Sequence, residues 1–282
     1  MTGYVISTDP TELLARLEDA IRPRRRLMTA YSGGIDSTLV AVTAHRVLGP
    51  RCALAVIGDS PSLPRFELEQ AVALAEDLGL SLRVVRPNEQ QDPGYQANAG
   101  DRCYFCKTHL YRTLHRTARD LGFDAIANGT NTDDLGDHRP GLTAADEAQV
   151  VSPLLDAGLG KQQVRELARL LALPNADKPA AACLASRIPY GTSVTIERLA
   201  QVEQAEDALR ALGLTGLRVR HHGQVARIEL PLDQMPTIMD DVVRDRAVAA
   251  IKAAGFSFVS LDLEGFRSGS GNVLLTIGGT HA

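Results

Sequence analysis

The stretch that decides the fold is Tyr31–Ser37, which reads Tyr-Ser-Gly-Gly-Ile-Asp-Ser. It follows a short apolar run, Leu27–Ala30, and opens a helical pattern that continues to Leu48. A strand, a glycine-rich turn and a helix are therefore predicted in succession, and the backbone N–H groups at the start of such a helix favour a phosphate. The P-loop of ordinary NTPases ends in Gly-Lys-Ser/Thr, whereas this turn has no lysine.

The Tyr31–Ser37 turn instead resembles the SGGxDS loop of the PP-loop ATP pyrophosphatases, enzymes that split ATP into AMP and pyrophosphate. The resemblance implies that the ATP phosphates, with a bridging Mg²⁺ ion, are held by five residues: Ser32, Gly33, Gly34, Asp36 and Ser37. The alternatives are an ordinary glycine-rich turn and, for Asp36, a carboxylate that caps the helix.

Composition limits the possible class of protein. The chain has 282 residues, enough for two domains, and its 44% hydrophobic and 23% charged residues are typical of a soluble globular protein. A net charge of −4 indicates no general affinity for nucleic acid or for an anionic membrane. No apolar run is long enough to span a bilayer, and the start of the chain lacks an export pattern. We therefore expect a cytoplasmic protein that binds neither nucleic acid nor membrane.

Apolar strands alternate with helical patterns in the first half of the chain, and this order predicts a parallel sheet with right-handed crossovers. The predicted strands are Leu27–Tyr31, Cys52–Gly58, Leu82–Val85 and Ala125–Asn128, and the predicted helices are 11–22, Thr38–Leu48, Pro64–Leu78 and Tyr104–Leu121. Ligands bind at the carboxyl ends of such strands. The strand ends at Val56–Asp59 and Asn128–Thr130 are therefore predicted to border the nucleotide base and the α-phosphate.

The last third of the chain predicts a smaller α+β domain. Its predicted elements are a helix Thr195–Leu212, strands Leu217–His221 and Ala226–Leu230, a helix Met235–Ala254 and a strand Phe258–Leu263. The predicted fold class is thus α/β, a PP-loop (adenine nucleotide alpha hydrolase-like) parallel sheet flanked by helices, with this smaller domain. The predicted domains are 1–175, an active-site loop and linker at 176–195, and 196–282.

Three of the four cysteines are candidates for binding a metal or an iron–sulfur cluster, or for redox chemistry. Cys103 and Cys106 form a C-x-x-C pair at a helix start, which suits a redox dithiol, half of a zinc site or one corner of a cluster. Cys183, about eighty residues on, is the one candidate for a third ligand, and three cysteines suit a 4Fe–4S cluster with an open iron. Cys52 lies in a predicted buried strand and is expected to fill the core.

Four motifs together are similar to those of the LarE family, the sulfur transferases of nickel-pincer nucleotide biosynthesis. They are Ser32–Ser37, Arg102–Lys107, Cys183–Gly191 and Leu217–Glu229, and the resemblance runs from about residue 10 to about residue 275. It implies that ATP adenylylates a carboxylate of pyridinium-3,5-dicarboxylate mononucleotide. Sulfur then displaces AMP and leaves a thiocarboxylate.

The family has two branches. One gives up the sulfur of a cysteine at the position of Cys183, which becomes dehydroalanine, and lacks the C-x-x-C pair. The other holds a 4Fe–4S cluster with three cysteines and transfers a sulfide from the open iron. The presence of Cys103 and Cys106 favours the second branch, with an external sulfide donor and a homo-oligomer as further expectations.

The resemblance also assigns residues to the substrate. Arg187, Arg218 and Arg220 are the candidates for its phosphate and carboxylates, because arginine donates two hydrogen bonds to either group. The family positions that line the sulfur-transfer site are Ser186, Glu206 and Glu229, beside Cys183. Two groups are left open: Asp133, Asp134 and Asp137 are a metal site or a solvated loop, and His221 and His222 are metal ligands or a polar turn.

Three rival interpretations remain at this stage. Another PP-loop enzyme, such as a tRNA thiolase, a GMP synthetase or an NAD synthetase, shares the turn but not the Cys183–Gly191 string. A nucleotide sensor on the same fold would bind ATP without releasing pyrophosphate. A redox protein that uses Cys103 and Cys106 would have no use for the turn.

Overall fold

The computed structural model describes residues 9–136, 140–179 and 181–267, which form two compact units. The first takes in the described residues up to Ser60, with Arg65–Glu89 and Cys103–Ala181. The second takes in Pro61–Pro64, Gln90–Arg102 and the described residues from Ala182 onward. Two short segments from the first half of the chain thus belong to the second unit. The division into domains at residues 175 and 195 stays a prediction.

The first unit contains the predicted parallel sheet, which is confirmed. Its strands are β1 (Leu27–Ala30), β2 (Ala53–Gly58), β3 (Leu82–Val85) and β4 (Ala125–Ala127). Their order across the sheet is β3-β2-β1-β4, and every pairing is parallel. The first strand is central because its four residues are almost entirely apolar and buried, as a strand covered on both faces requires.

The helices, in chain order, are α1 (Pro10–Ile21), α2 (Ile35–Leu48), α3 (Arg65–Asp77), α4 (Pro93–Ala97), α5 (Arg102–Leu121), α6 (Pro140–Glu147), α7 (Pro153–Asp156), α8 (Lys161–Leu170), α9 (Ile196–Ala211), α10 (Met235–Met239) and α11 (Asp241–Ala253). The sequence patterns predicted no element between β4 and residue 175, where three of these helices lie. They are hard to detect because α7 is a single turn and α8 buries only Val164, Leu167 and Ala168. None of the described helices is both long enough and apolar enough to cross a membrane.

Neighbouring residues of β1 pack into different cores because side chains alternate across a strand. Leu27 belongs to a cluster with Leu17 of α1 and Leu167 of α8. Met28 belongs to a second cluster with Leu114 of α5. The sheet is therefore sandwiched, and its carboxyl edge is left to the loops, including the Ser32–Ser37 turn.

The second unit has a three-stranded sheet made of β5 (Arg218–His222), β6 (Val225–Glu229) and β7 (Phe258–Leu261). β5 and β6 are an antiparallel hairpin, and β7 joins β6 in parallel. The hairpin turns at Gly223, whose φ of +64° suits glycine. The smaller α+β part predicted for the last third of the chain is thus confirmed, and its sheet is mixed.

Two local predictions are wrong. The predicted helix Met235–Ala254 is broken at Asp240, which has extended backbone and whose carboxylate accepts the N–H groups of Val242 and Val243. Asp240 thus caps the start of a new helix, α11. Cys52 precedes β2 and is partly exposed, because the strand begins one residue later at Ala53.

Candidate functional site

The Ser32–Ser37 turn is organised by its own hydroxyl groups. The Oγ atoms of Ser32 and Ser37 lie 3.0 Å apart, and the Ser32 N–H donates to Ser37 Oγ at 3.1 Å. Ser37 Oγ in turn donates to the Gly34 carbonyl at 3.1 Å. Helix α2 starts behind Gly34 with no side chain capping it. Its first N–H groups are therefore not occupied by a side-chain cap, as an anion-binding helix start requires.

Two glycines at this turn lie so close to neighbouring segments that neither position has room for a side chain. Gly33 has a φ of +72°, and a Cβ there would lie 2.6 Å from Ala71 Cβ of α3. Gly129, just after β4, has no room either, since a Cβ would lie 2.7 Å from the Ser37 nitrogen. The end of β4 thus packs directly on the first turn of α2, which places Asn128–Thr130 beside the turn.

Asp36 lies in the first turn of α2, and its carboxylate accepts a hydrogen bond from Asn131 Nδ2 at 2.9 Å. Burial raises the pKa of Asp36, and the nearby Asp134 raises it further, although the Asn131 hydrogen bond opposes both. A partly buried carboxylate with a raised pKa is one that a cation would stabilise. The residue set therefore fits a Mg²⁺–phosphate group.

The acidic residues after Asn131 have structural partners. Asp133 Oδ2 accepts the Lys161 N–H at 2.6 Å, at the start of α8. Asp134 is buried and accepts the Asn131 N–H at 3.1 Å. Asp133 thus serves the start of a helix and Asp134 shapes the loop that presents Asn131. The third member of the predicted cluster, Asp137, lies outside the described residues.

The three predicted cysteine ligands differ in setting. Cys103 and Cys106 lie on the first turn of α5, as predicted, with Cys103 exposed and Cys106 half-buried. Cys183 is exposed and precedes a short 3-10 turn, Leu184–Arg187. Across the described ranges, no three His, Cys, Asp or Glu side chains are grouped as metal ligands. Cys103 and Cys106, three residues apart on α5, could bind one metal ion or cluster. The structure does not group Cys183 with them as a third ligand.

A buried ion pair organises the loop that carries Cys183. Arg187 has a side chain 2% exposed and donates to both carboxylate oxygens of Glu206, which is 0% exposed, at 2.9 and 3.3 Å. Its remaining nitrogen donates to the carbonyls of Ala182 at 2.7 Å and Cys183 at 3.0 Å. Glu206 therefore holds Arg187, and Arg187 holds the backbone on which Cys183 sits.

A second ion pair continues this network. Arg220 on β5 donates to the Ser186 carbonyl at 2.9 Å and to Glu229 on β6 at 2.9 Å. Glu229 is 1% exposed and also accepts from Arg227 at 3.0 Å. Ser186 Oγ donates back to the Cys183 carbonyl at 2.8 Å. The predicted residues Cys183, Ser186, Arg220 and Glu229 are thus brought together in the second unit.

Arg218 is the least neutralised of the predicted arginines. Its contacts include a hydrogen bond to the Leu217 carbonyl at 2.8 Å and the ring of Phe266, 5.0 Å from its guanidinium carbon. Burial, with the nearby charge of Arg187, lowers the pKa of Arg218 to about 10, so the group stays cationic at neutral pH. Burial and the neighbouring cations make the charged form of Arg218 less favourable, so a bound anion would stabilise it.

The two histidines lie in different settings, and neither belongs to a metal-binding group among the residues that the structure describes. His221 is buried, with its Nε2 3.1 Å from Gln201 Oε1 and its ring packed against Phe256. His222 is exposed at the hairpin turn. Burial lowers the pKa of His221, and partial desolvation together with the nearby charges of Arg227 and Arg220 lowers the pKa of His222, so both favour the neutral form.

Sequence reasoning missed the residues that anchor the Cys183 loop. Asn98 is 0% exposed, and its Nδ2 donates to the carbonyls of Ile188, Pro189 and Thr192. Arg102 donates to the Asn98 side chain and, at 2.9 Å, to the carbonyl of Ala185. Only the Arg-Cys-x-x-Cys string hinted at Arg102, and no pattern marked Asn98.

Comparison with known proteins gives matches over part and over nearly all of the chain. A family model described as NAD synthase matches residues 17–96. An uncharacterized protein of Synechocystis is 47% identical over 251 residues, 89% of this chain and 93% of that protein. Pyridinium-3,5-bisthiocarboxylic acid mononucleotide synthase of Lactiplantibacillus plantarum is 39% identical over 271 residues, 96% of each chain. A glutamine-hydrolyzing GMP synthase component of Methanopyrus kandleri is 24% identical over 253 residues, 82% of this chain and 76% of that protein.

A parallel sheet whose first strand runs through Ser-Gly-Gly-x-Asp-Ser into an uncapped helix defines a PP-loop enzyme that uses ATP with Mg²⁺. The chain belongs to the LarE family of ATP-dependent sulfurtransferases, because the match to the L. plantarum synthase covers 96% of both proteins. The family predicted from the four motifs is thus confirmed.

Proposed function

We propose that the protein adenylylates the carboxylates of pyridinium-3,5-dicarboxylate mononucleotide and converts them into thiocarboxylates for nickel-pincer nucleotide synthesis. The substrate is a small-molecule nucleotide, and the relative from L. plantarum is named for the bisthiocarboxylic product. In the first step a carboxylate oxygen attacks the α-phosphorus of ATP, and the bond to pyrophosphate breaks. In the second step a sulfur nucleophile attacks the acyl carbon, and the bond to AMP breaks.

The Ser32–Ser37 turn would hold the departing pyrophosphate. The N–H groups at the start of α2 would face the β- and γ-phosphates, where negative charge collects, and the Ser32 and Ser37 hydroxyls, which hydrogen-bond within the turn, would turn to the phosphates when these bind. Asp36 would bind the Mg²⁺ ion that accompanies ATP, and the ion would offset the negative charge of the phosphates. Each of these groups stabilises pyrophosphate as it leaves, so the turn favours the forward step.

The arginines of the second unit would hold the substrate in two ways. Arg218 has the least neutralised charge and is the best candidate to bind the substrate's phosphate. Arg187 and Arg220 are already engaged with Glu206 and Glu229, so their role is to fix the loop rather than to bind substrate directly. This division separates one binding arginine from two positioning arginines.

Cys103, Cys106 and Cys183 are proposed to hold a 4Fe–4S cluster. The supporting observation is the hydrogen bond from Arg102 to the carbonyl of Ala185. Arg102 is bonded covalently to Cys103, and Ala185 lies two residues after Cys183, so this contact links the two cysteine segments. When bound, such a cluster would supply a sulfide on its open iron.

One experiment tests the function and the cluster together. The protein is purified without oxygen, reconstituted with iron and sulfide, and given ATP, Mg²⁺ and the dicarboxylate nucleotide. Pyrophosphate release and a thiolated product in the mass spectrum are expected. Their absence with loaded protein would contradict the proposed function, and ATP binding without pyrophosphate release would instead favour a nucleotide sensor.

Single Cys→Ser variants at residues 103, 106 and 183 separate the two sulfur sources. The cluster proposal expects each variant to lose iron and visible absorbance. If only the Cys183→Ser variant loses activity, and the spent wild-type protein carries dehydroalanine at residue 183, the cysteine itself is sacrificed. An external sulfide donor, a homo-oligomer and a cytoplasmic location remain predictions.

A further inference from the structure

Asn175 contacts the Ser32–Ser37 turn from behind, although it lies far along the chain after α8. Its Nδ2 donates to the Gly33 carbonyl at 3.1 Å and to Thr38 Oγ1 at 3.0 Å. The residue is only 6% exposed, and Thr38 Oγ1 itself donates to the Gly34 carbonyl at 2.8 Å. One side chain is thus tied to two carbonyl groups of the turn, directly and through Thr38.

The Asn175 amide is not there to complete a hydrogen-bond network. Its Oδ1 is buried and has no hydrogen-bond partner among the described residues. A buried acceptor without a partner destabilises the folded state, and an apolar side chain would avoid that cost. The two donated hydrogen bonds must therefore account for an asparagine at this position.

The geometry of the peptide between Gly33 and Gly34 shows what those bonds do. In a trans peptide the C=O and the following N–H point in opposite directions. Because the Gly33 carbonyl accepts from Asn175, the Gly34 N–H points the opposite way, to the exposed side of the turn, where it donates to Ser32 Oγ at 3.3 Å. Two consecutive glycines would otherwise let this peptide flip at little steric cost.

We propose that Asn175 is a positioning residue for phosphate binding, which fixes the Gly33–Gly34 peptide so that its N–H meets the β- and γ-phosphates of ATP. The inference rests on the proposed function, in which the turn holds the departing pyrophosphate. It assigns to Asn175 a role in binding the two distal phosphates and none in binding the adenosine.

The segment that carries Asn175 is itself anchored. Lys178 Nζ donates to Glu67 Oε2 at 2.7 Å and to Gln70 Oε1 at 3.2 Å, both on α3. The same helix contributes Ala71, which fills the space behind Gly33. The turn is therefore backed by two elements that are joined to each other, and Asn175 has a fixed base from which to act.

Titration calorimetry with Mg²⁺–pyrophosphate and, separately, with AMP tests the inference. Asn175→Ala should weaken pyrophosphate binding about tenfold, the effect of one or two lost hydrogen bonds, while AMP affinity changes less than about twofold. Asn175→Asp has the same size but presents a carboxylate to the Gly33 carbonyl and to the anion, so it should weaken pyrophosphate more. Asp177→Ala, an exposed change in the same segment, is the matched control and should alter neither affinity.

The outcomes separate the two proposals. If wild-type protein binds pyrophosphate and both Asn175 variants bind it equally well, or if they weaken AMP binding to the same extent, the positioning role is wrong. If the wild type binds neither ligand, the proposed function fails and this inference fails with it. Circular dichroism of each variant checks the fold, and the isosteric Asn175→Asp variant keeps the test decisive where Asn175→Ala unfolds.

Discussion

Replacing Glu206 with alanine should strongly destabilise the second unit and loosen the Cys183 loop. Its carboxylate is 0% exposed and accepts four hydrogen bonds from three residues. Two come from Arg187, one from Arg210 at 2.8 Å and one from the Val219 N–H at 3.0 Å. Because Arg187 is also buried, water cannot reach its guanidinium group to replace the lost carboxylate.

The magnitude follows from which partners are left buried. The Arg187 side chain is 2% exposed, and a buried charge that loses its partner costs about 3–5 kcal/mol. Arg210 is 24% exposed and reaches water, so its share is below about 1 kcal/mol. The Val219 N–H donates to the same oxygen, Glu206 Oε1, as Arg187 Nε, so its loss is not counted separately. We expect about 4 kcal/mol, a large part of the roughly 5–15 kcal/mol that holds a typical domain.

Urea unfolding followed by far-ultraviolet circular dichroism measures this loss, since the chain has no tryptophan. Asp207→Ala is the control, because Asp207 is 49% exposed and forms its ion pair with Arg210 at the surface. It should change the free energy of unfolding by less than about 0.5 kcal/mol.

A double variant, Arg187→Met with Glu206→Leu, tests the coupling. It removes both charges, so it should be less destabilised than the sum of the two single variants. A loss below about 1 kcal/mol for Glu206→Ala, or single losses that simply add in the double variant, would refute the reasoning.

Three further predictions concern the turn and the arginine cluster. Gly129→Ala should destabilise the protein by about 1–3 kcal/mol and weaken Mg²⁺–ATP binding, because the new Cβ would clash with the Ser37 backbone. An unchanged melting temperature in scanning calorimetry would count against this prediction. Burial raises the pKa of Asp36 above its usual 3.8, so the folded state holds that proton more tightly and the residue's contribution to stability falls as pH rises from about 4 through the folded pKa. Asp36→Asn should therefore match wild type near pH 3, exceed its stability at pH 7 in urea titrations and lose pyrophosphate release; a stability difference that shrinks with rising pH would contradict this sign. Arg218→Ala should weaken binding of the dicarboxylate mononucleotide by roughly 10- to 100-fold, the effect of losing a charge-assisted hydrogen bond, and should leave Mg²⁺–pyrophosphate binding unchanged. Equal affinity of both proteins for the mononucleotide in titration calorimetry would exclude Arg218 as its phosphate ligand.

The nucleotide turn was predictable from sequence because its chemistry is local. Gly33, Gly34 and the flanking serines are consecutive, and a strand before them and a helix after them follow from hydrophobic pattern alone. The cap at Asp240 was also local, yet the apolar pattern ran across it and hid the break. Of the helices between β4 and residue 175, α7 is a single turn with too few apolar positions to show a period, and α8 buries only three of its ten residues.

The role of the predicted arginines could not be predicted in the same way. Arg187, Arg218 and Arg220 looked equivalent as substrate ligands, since each is a cation in a family motif. The fold separates them by supplying Glu206 to one and Glu229 to another, from α9 and β6. Burial and partner, which depend on distant segments, decide whether a guanidinium binds substrate or holds the loop.

The sequence by itself determined the class of fold, the phosphate turn and the family, because each is written in runs of adjacent residues or in motifs whose order along the chain suffices. Only the tertiary structure decided that Asn175 backs Gly33, that Asn98 and Arg102 anchor the Cys183 loop, and that Glu206 is a buried support. The contacts of Asn175, Asn98 and Arg102 join residues 83–142 positions apart. Glu206 and Arg187 are separated by 19 positions. A hydrogen bond between such distant residues leaves no local pattern, because only the folded chain brings the donor to its acceptor.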